Sequence, residues 1–248
     1  MKLKKIYEKI VSEHQLNEGV YDKNIFKAFF LAGGPGSGKS YVAEKLFGFG
    51  PNSFSADSLK YIDPDKDFMN ELKKLGINPK DLADIVKNDP AKFNHLTADP
   101  DGPREKGSER AKARQKIYTQ NALGLVIDGT GRDYNNILQK QQVLKAAGYD
   151  TYMIFVNTSL DVAKERNKKR SRVLPDNIVI DSWNQVQQNL GKFQNLFGRH
   201  FIVVDNTIAS ENIIDSVRKK IQHFLRGKLE NPIGKAWIQN QINLKNTK

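Results

Sequence analysis

The run Gly33-Gly34-Pro35-Gly36-Ser37-Gly38-Lys39-Ser40 constrains this chain more than any other feature, because it matches the pattern G-x-x-x-x-G-K-[ST]. Glycines at these positions let the backbone wrap tightly and turn successive N–H groups toward phosphate oxygens. The positive end of the following helix adds to that nest. An apolar segment, IFKAFFLA, precedes the loop, and Val42, Ala43, Leu46 and Phe47 follow it at helical spacing. Strand, glycine-rich turn and helix, in that order, are the setting the motif needs. Lys39 is then expected to reach the β- and γ-phosphates of ATP or GTP, and Ser40 to offer its hydroxyl oxygen to Mg2+.

Five short apolar runs bounded by turn residues predict buried strands at 25–32, 52–56, 123–128, 151–156 and 201–205. Helical patterns lie between them, which predicts an α/β chain with a mostly parallel five-stranded sheet and helices on both faces. One helix is expected from Asp133 to Ala147, with Ile137, Leu138, Val143 and Leu144 as its apolar positions and Gly148 past its end. Another spans about 176–197, with a stripe of Val179, Trp183, Val186, Leu190, Phe193 and Phe197. A third follows Ser210, turning Ile213, Ile214, Val217, Ile221, Phe224 and Leu225 inward. Residues 60–119 are too long for a simple crossover, so they are expected to form a helical insertion between strands two and three. Its second half carries Arg104, Lys106, Arg110, Lys112, Arg114 and Lys116, by default a solvated charged face. Residues 1–24 predict an amphipathic helix on Leu3, Ile6, Tyr7, Ile10 and Val11. Residues 25–226 form the main domain, and 227–248 a tail or loosely docked helix.

Three further groups of residues suit phosphate chemistry. Asp57 ends the second expected strand, and ligands of open α/β sheets sit at the carboxyl ends of strands. There it can orient a substrate hydroxyl and accept its proton, or else cap the next helix. The third expected strand ends in Asp128-Gly129-Thr130-Gly131-Arg132, placing a carboxylate near Mg2+ with Thr130 and Arg132 positioned to bind an acceptor. Arg166 and Arg170 are four apart, which on a helix puts both guanidinium groups on one face. Preorganised arginines stabilise the charge of a phosphoryl group in transfer, so residues 160–175 read as a basic lid, with a solvated helix as the plainer alternative.

The formal net charge is +12, which fits a polyanionic partner and fits a lysine-rich surface serving solubility equally well. With no cysteine the sequence excludes disulfides, thiolate metal sites and cysteine nucleophiles. Its longest strongly apolar stretch, at 28–32, is far short of the roughly 20 residues a spanning helix needs.

Taken together, the loop at 33–40, Asp57, the segment Asp128 to Arg132 and the Arg166/Arg170 lid resemble the zeta-toxin and polynucleotide-kinase branch of P-loop kinases. The phrase Ala147-Gly148-Tyr149 before the fourth strand adds to the likeness, which spans about residues 25–205. The chain also resembles uncharacterised predicted kinases of tailed bacteriophages. The resemblance implies a three-layer P-loop NTPase fold and transfer of a γ-phosphate from ATP or GTP, with Mg2+, to a hydroxyl. Zeta toxins act on a nucleotide sugar and polynucleotide kinases on nucleic-acid ends, so the acceptor is expected to be a nucleotide, a nucleotide sugar or a nucleic acid. A nucleic-acid-stimulated ATPase and a virion protein on a kinase fold are the competing readings. Leu16-Asn17-Glu18 before Gly19 resembles the context cut by tailed-phage prohead proteases, which adds packaging in the virion to the expected cytoplasmic location.

Overall fold

A computed structural model of the chain describes residues 20–49, 58–170, 173–208 and 210–246. The helix expected within 1–24 falls almost wholly outside these residues. The strand expected at 52–56, Asp57 and Leu16-Asn17-Glu18 lie outside them entirely.

Five parallel strands form one sheet in the order β2-β3-β1-β4-β5. They are β1 (Lys27–Ala32), β2 (Lys60–Ile62), β3 (Leu125–Asp128), β4 (Asp150–Asn157) and β5 (Phe201–Asp205). β1 is central and buried along its whole length, which is why it reads as a continuous apolar run rather than an alternation. Its side chains still alternate. Phe29 and Leu31 join the core under one face of the sheet, and Ala28, Phe30 and Ala32 the core under the other. The first face is covered by α1 (Lys39–Phe47) and α9 (Glu211–Arg226), through Val42, Leu46, Ile214, Val217 and Ile221. The second is covered by α6 (Tyr134–Ala146) and α8 (Asp176–Phe197), through Ile137, Leu144, Val186 and Phe193. The result is the expected three-layer α/β architecture.

The second strand differs from the reading of the sequence. The segment paired with β3 is Lys60–Ile62, at the point where the insertion was expected to open. Three residues at the sheet edge carry too little periodicity to announce a strand. The insertion therefore begins one residue after Asp63. It comprises α2 (Pro64–Lys74), α3 (Leu82–Asn88), α4 (Pro90–Thr97) and α5 (Pro103–Gln120). Phe68, Leu72, Leu82 and Leu96 form a small core of their own there, separate from the two under the sheet. α5 packs close to α2 because Gly107 has no side chain; a Cβ there would stand 2.7 Å from the Phe68 backbone nitrogen.

The basic run of α5 is not simply solvated. Arg104, Arg110 and Arg114 pair with Asp65, Glu71 and Asp67 of α2. Half of the six cations in this run are thus engaged by carboxylates of a neighbouring helix. On α6, Val143 is 64 % exposed, and Gln141, bonded to the Leu196 carbonyl, fills the buried position between Ile137 and Leu144. The C-terminal segment forms a docked helix, α10 (Pro232–Asn246). The Asp150 carboxylate accepts from the Glu230 and Asn231 backbone N–H groups at its approach, and Trp237 meets Phe26 edge-on at 5.3 Å. No helix among the described residues is long and apolar enough to cross a membrane.

Candidate active site

The strand order reverses about β1, since the chain builds β2 and β3 on one side before crossing to β4 and β5. Loops after β1 and β3 consequently meet at the carboxyl ends of the strands, where such sheets bind ligands. Gly33 N donates to Thr130 O at 3.1 Å across this junction. The turn that follows depends on glycine at two points. Gly36 has φ 77° and Gly38 φ 87°; a Cβ on either would come within 2.2 Å of Ala163 O or Asn206 Nδ2. Asn206 holds the turn from outside by donating to Ser37 O at 2.7 Å. Gly38 then caps α1, so the first turn of that helix begins at Lys39. Gly33, Gly34, Pro35, Gly36, Ser37, Gly38, Lys39 and Ser40 thus form the loop-to-helix nest their pattern implies, with Lys39 Nζ lying across it to Gly33 O at 2.7 Å.

Asp128 ends β3 beside this loop. Tyr61 donates to its Oδ2 at 2.8 Å, while its buried Oδ1 has no hydrogen-bond partner. Burial raises the Asp128 carboxyl above its ordinary value, opposed by the nearby Lys39 ammonium. Asp63, directly after β2, is pushed up to about 6 by burial and then by the Asp128 charge. Crowded carboxylates with an enclosed, unpartnered oxygen suit a hard divalent cation, and Ser40 stands exposed in the adjoining helical turn. Asp128 and Ser40 are the residues here that could hold the expected Mg2+.

Asp57 lies outside the described residues, so the carboxyl end of β2 is represented by Asp63 and Asp65 instead. Asp63 accepts from the backbone N–H groups of Asp65 and Lys66 at 2.9 and 3.1 Å, a capping role that starts α2. Asp65 lines a cavity of about 410 Å3. The same cavity is lined by Pro35 and Lys39 from the loop, by Thr130 and Arg132 after β3, and by Arg170. Across from these stand Phe68, Leu82, Val86, Phe93 and Arg104 of the insertion. Asn189 of α8 fixes the Gly131 and Arg132 carbonyls at 3.1 and 2.8 Å, and Gln185 accepts from Arg132 Nε at 3.1 Å.

The two lid arginines reach the site, though not by sharing a helical face. Helix α7 (Leu160–Lys168) ends before Arg170, whose N–H bonds to Asn167 O in a tighter turn. It stops there because the fully buried Asn167 side chain grips the Leu174 backbone, donating to its carbonyl at 2.8 Å and accepting from its N–H at 3.2 Å. Arg166 lies against the loop. Its Nη1 is buried without a partner 3.6 Å from where a Gly38 Cβ would be, and its Nη2 donates to Thr207 O at 3.4 Å. Arg170 lines the cavity itself. Four contributors were missed from the sequence: Asp63, Asp65, Asn206 and Arg104. Asp63 and Asp65 follow an edge strand too short to announce itself, and Asn206 has only the strand-ending Asp-Asn as a signal.

The AAA domain family matches residues 29–193, most of the chain and all of the loop. The chain belongs to this family. A search of curated proteins returns no match. Among solved structures, a chain of the PezAT chromosomal toxin–antitoxin system of Streptococcus pneumoniae is similar at 14 % identity and TM-score 0.54. The similarity covers 99 % of this chain and 97 % of that one. A protein from Chloroflexus aurantiacus assigned as a kinase is similar at 12 % identity and TM-score 0.51, over 80 % of this chain and 97 % of that one. At such identities the structural likenesses, with the family match, establish the P-loop kinase-like fold and leave the acceptor to chemistry.

Proposed function

We propose that this AAA-family chain is a phosphotransferase that moves the γ-phosphate of ATP or GTP to a hydroxyl of a nucleotide, nucleotide-sugar or nucleic-acid acceptor. One observation carries the reading: the cavity that Pro35 and Lys39 of the phosphate-binding loop line extends to a carboxylate, Asp65, and to an apolar wall from the insertion. Hydrolysis alone needs only a water site. A roomy, partly apolar cavity beside the loop suits a second substrate.

In this reading the loop N–H groups and Lys39 hold the β- and γ-phosphates, and Ser40 and Asp128 would hold Mg2+, which would supply neutralisation of phosphate charge. Arg166 and Arg170 balance the negative charge on the equatorial oxygens. Asp65 orients the acceptor hydroxyl and receives its proton, the role first expected of Asp57. Thr130 and Arg132 steady the acceptor.

The test is transfer of labelled γ-phosphate with Mg2+ to 5′-hydroxyl DNA and RNA, nucleosides, mononucleotides and nucleotide sugars. Wild type is compared with Asp65→Asn, Asp57→Asn and Lys39→Ala. Label on one acceptor class, reduced at least about 100-fold in Asp65→Asn with ATP still bound, is the expected result, since a positioned base contributes about 10²–10⁴. Label released only to water, rising with added nucleic acid, would sink the reading in favour of an ATPase.

A further inference from the structure

Arg104 differs from the other two arginines that join α5 to α2. Arg110 and Arg114 reach Glu71 and Asp67, whose side chains are only 10 % and 7 % exposed, and Arg114 grips Asp67 with two nitrogens. Removing Arg114 would strand a buried charge, while Glu71 is held by Lys74 as well as Arg110. Arg104 meets Asp65 at 3.0 Å with the two side chains 41 % and 48 % exposed. An ion pair so exposed to solvent contributes too little to stability to explain its placement. What distinguishes it is the cavity. The Arg104 guanidinium carbon lies 5.2 Å from the centre of the Phe68 ring, on a wall otherwise made of Leu82, Val86 and Phe93.

An uncharged sugar would leave both the apolar wall and Arg104 unused. A molecule with a planar or apolar part and an anion of its own uses both, the ring against Phe68 and Phe93 and the anion on the guanidinium. We propose that Arg104 selects the acceptor by binding a phosphate the acceptor already carries, exchanging the Asp65 carboxylate for it and handing Asp65 to the hydroxyl under attack. The proposal rests on the phosphotransferase reading. The hydroxyl oxygen bonds to the γ-phosphorus as its bond to the β-phosphate oxygen breaks. The hydroxyl proton passes to Asp65, a nucleoside diphosphate departs, and the acceptor leaves with one phosphate more. Because the exposed Arg104–Asp65 pair is weak, the exchange costs little, and it ties readiness of the base to the presence of the right acceptor.

The experiment is calorimetric titration of uridine, guanosine and their 3′- and 5′-monophosphates into the whole protein, saturated with Mg2+ and a non-hydrolysable ATP analogue. Wild type is compared with Arg104→Gln and Arg104→Lys. At least one monophosphate should bind at least ten-fold tighter than its nucleoside. Arg104→Gln should erase that preference, Arg104→Lys should keep part of it, and affinity for the ATP analogue should stay within two-fold. Monophosphates binding no tighter than nucleosides, or a preference surviving Arg104→Gln, overturns the proposal. Binding is read without turnover, so a monophosphate that binds through Arg104 but takes no label counts against the phosphotransferase reading alone.

Discussion

Lys27 occupies the first position of the central strand, 1 % exposed, and donates to the carbonyls of Phe224, Leu225 and Gly227 at 2.8, 2.5 and 2.7 Å. Three ammonium protons meet three carbonyls at the end of α9, which have no partner within their own helix. Burial nonetheless lowers the ammonium from 10.5 to about 8, with Asp150 opposing. Between pH 8 and 10 the unfolded chain therefore holds a proton that the folded protein has released, so this group makes stability rise with pH. Above pH 10 the sign reverses for Tyr149 and Tyr152, whose burial raises them and keeps them protonated while the unfolded chain ionises. Denaturant unfolding from pH 7 to 10 should show a rise in wild type that is absent in Lys27→Met. That variant should also lose about 1–3 kcal/mol at pH 7 through its orphaned carbonyls. At the loop, Gly38→Ala adds a Cβ that meets Asn206 Nδ2 where φ is 87°. Calorimetry should find ATP affinity lowered at least about ten-fold, or 1.4 kcal/mol, and the strained backbone should lower the melting temperature as well.

Among the elements, the link from α7 to α8 sets where the lid arginines stand. Asn167→Ala would break both bonds to the Leu174 backbone. The expected outcome is a loss of about 1–3 kcal/mol in stability and a fall in turnover larger than any change in ATP affinity, read by steady-state kinetics beside direct binding. This element also shows what the sequence makes legible. Helices α6, α8 and α9 announce themselves by long apolar stripes, and the loop by glycines whose conformations nothing else tolerates. The β2 edge strand spans only Lys60–Ile62, too short to be readable from periodicity, so Asp65 beyond its carboxyl end goes unannounced. The end of α7 was hidden for another reason. It is decided by Asn167 reaching seven residues ahead, a contact that no helical periodicity records. Arg104 looked like one of six surface cations because its partners, Asp65 and Phe68, come from a helix about forty positions earlier.

On the scale of the whole molecule, three hydrophobic cores among the described residues divide the work. Two lie under the faces of the sheet and carry the loop, and the third, around Phe68, Leu72, Leu82 and Leu96, builds the far wall of the cavity. Leu72 is fully buried in that third core, so Leu72→Ala should cost about 2–5 kcal/mol. Hydrogen exchange should place the loss in residues 64–97 while β1 and α1 keep their protection. ATP should still bind, and discrimination among acceptors should fail.

Such independence makes the insertion a cassette. Among the described residues its small core borrows no side chain from the sheet, and its seams are the short β2 edge and α5, whose Ala111 and Tyr118 join the core under the second face. A lineage could therefore diversify its clientele by rewriting that one stretch while its engine stayed as it was. A chimaera carrying another relative's segment between β2 and β3 should inherit the donor's taste in substrates.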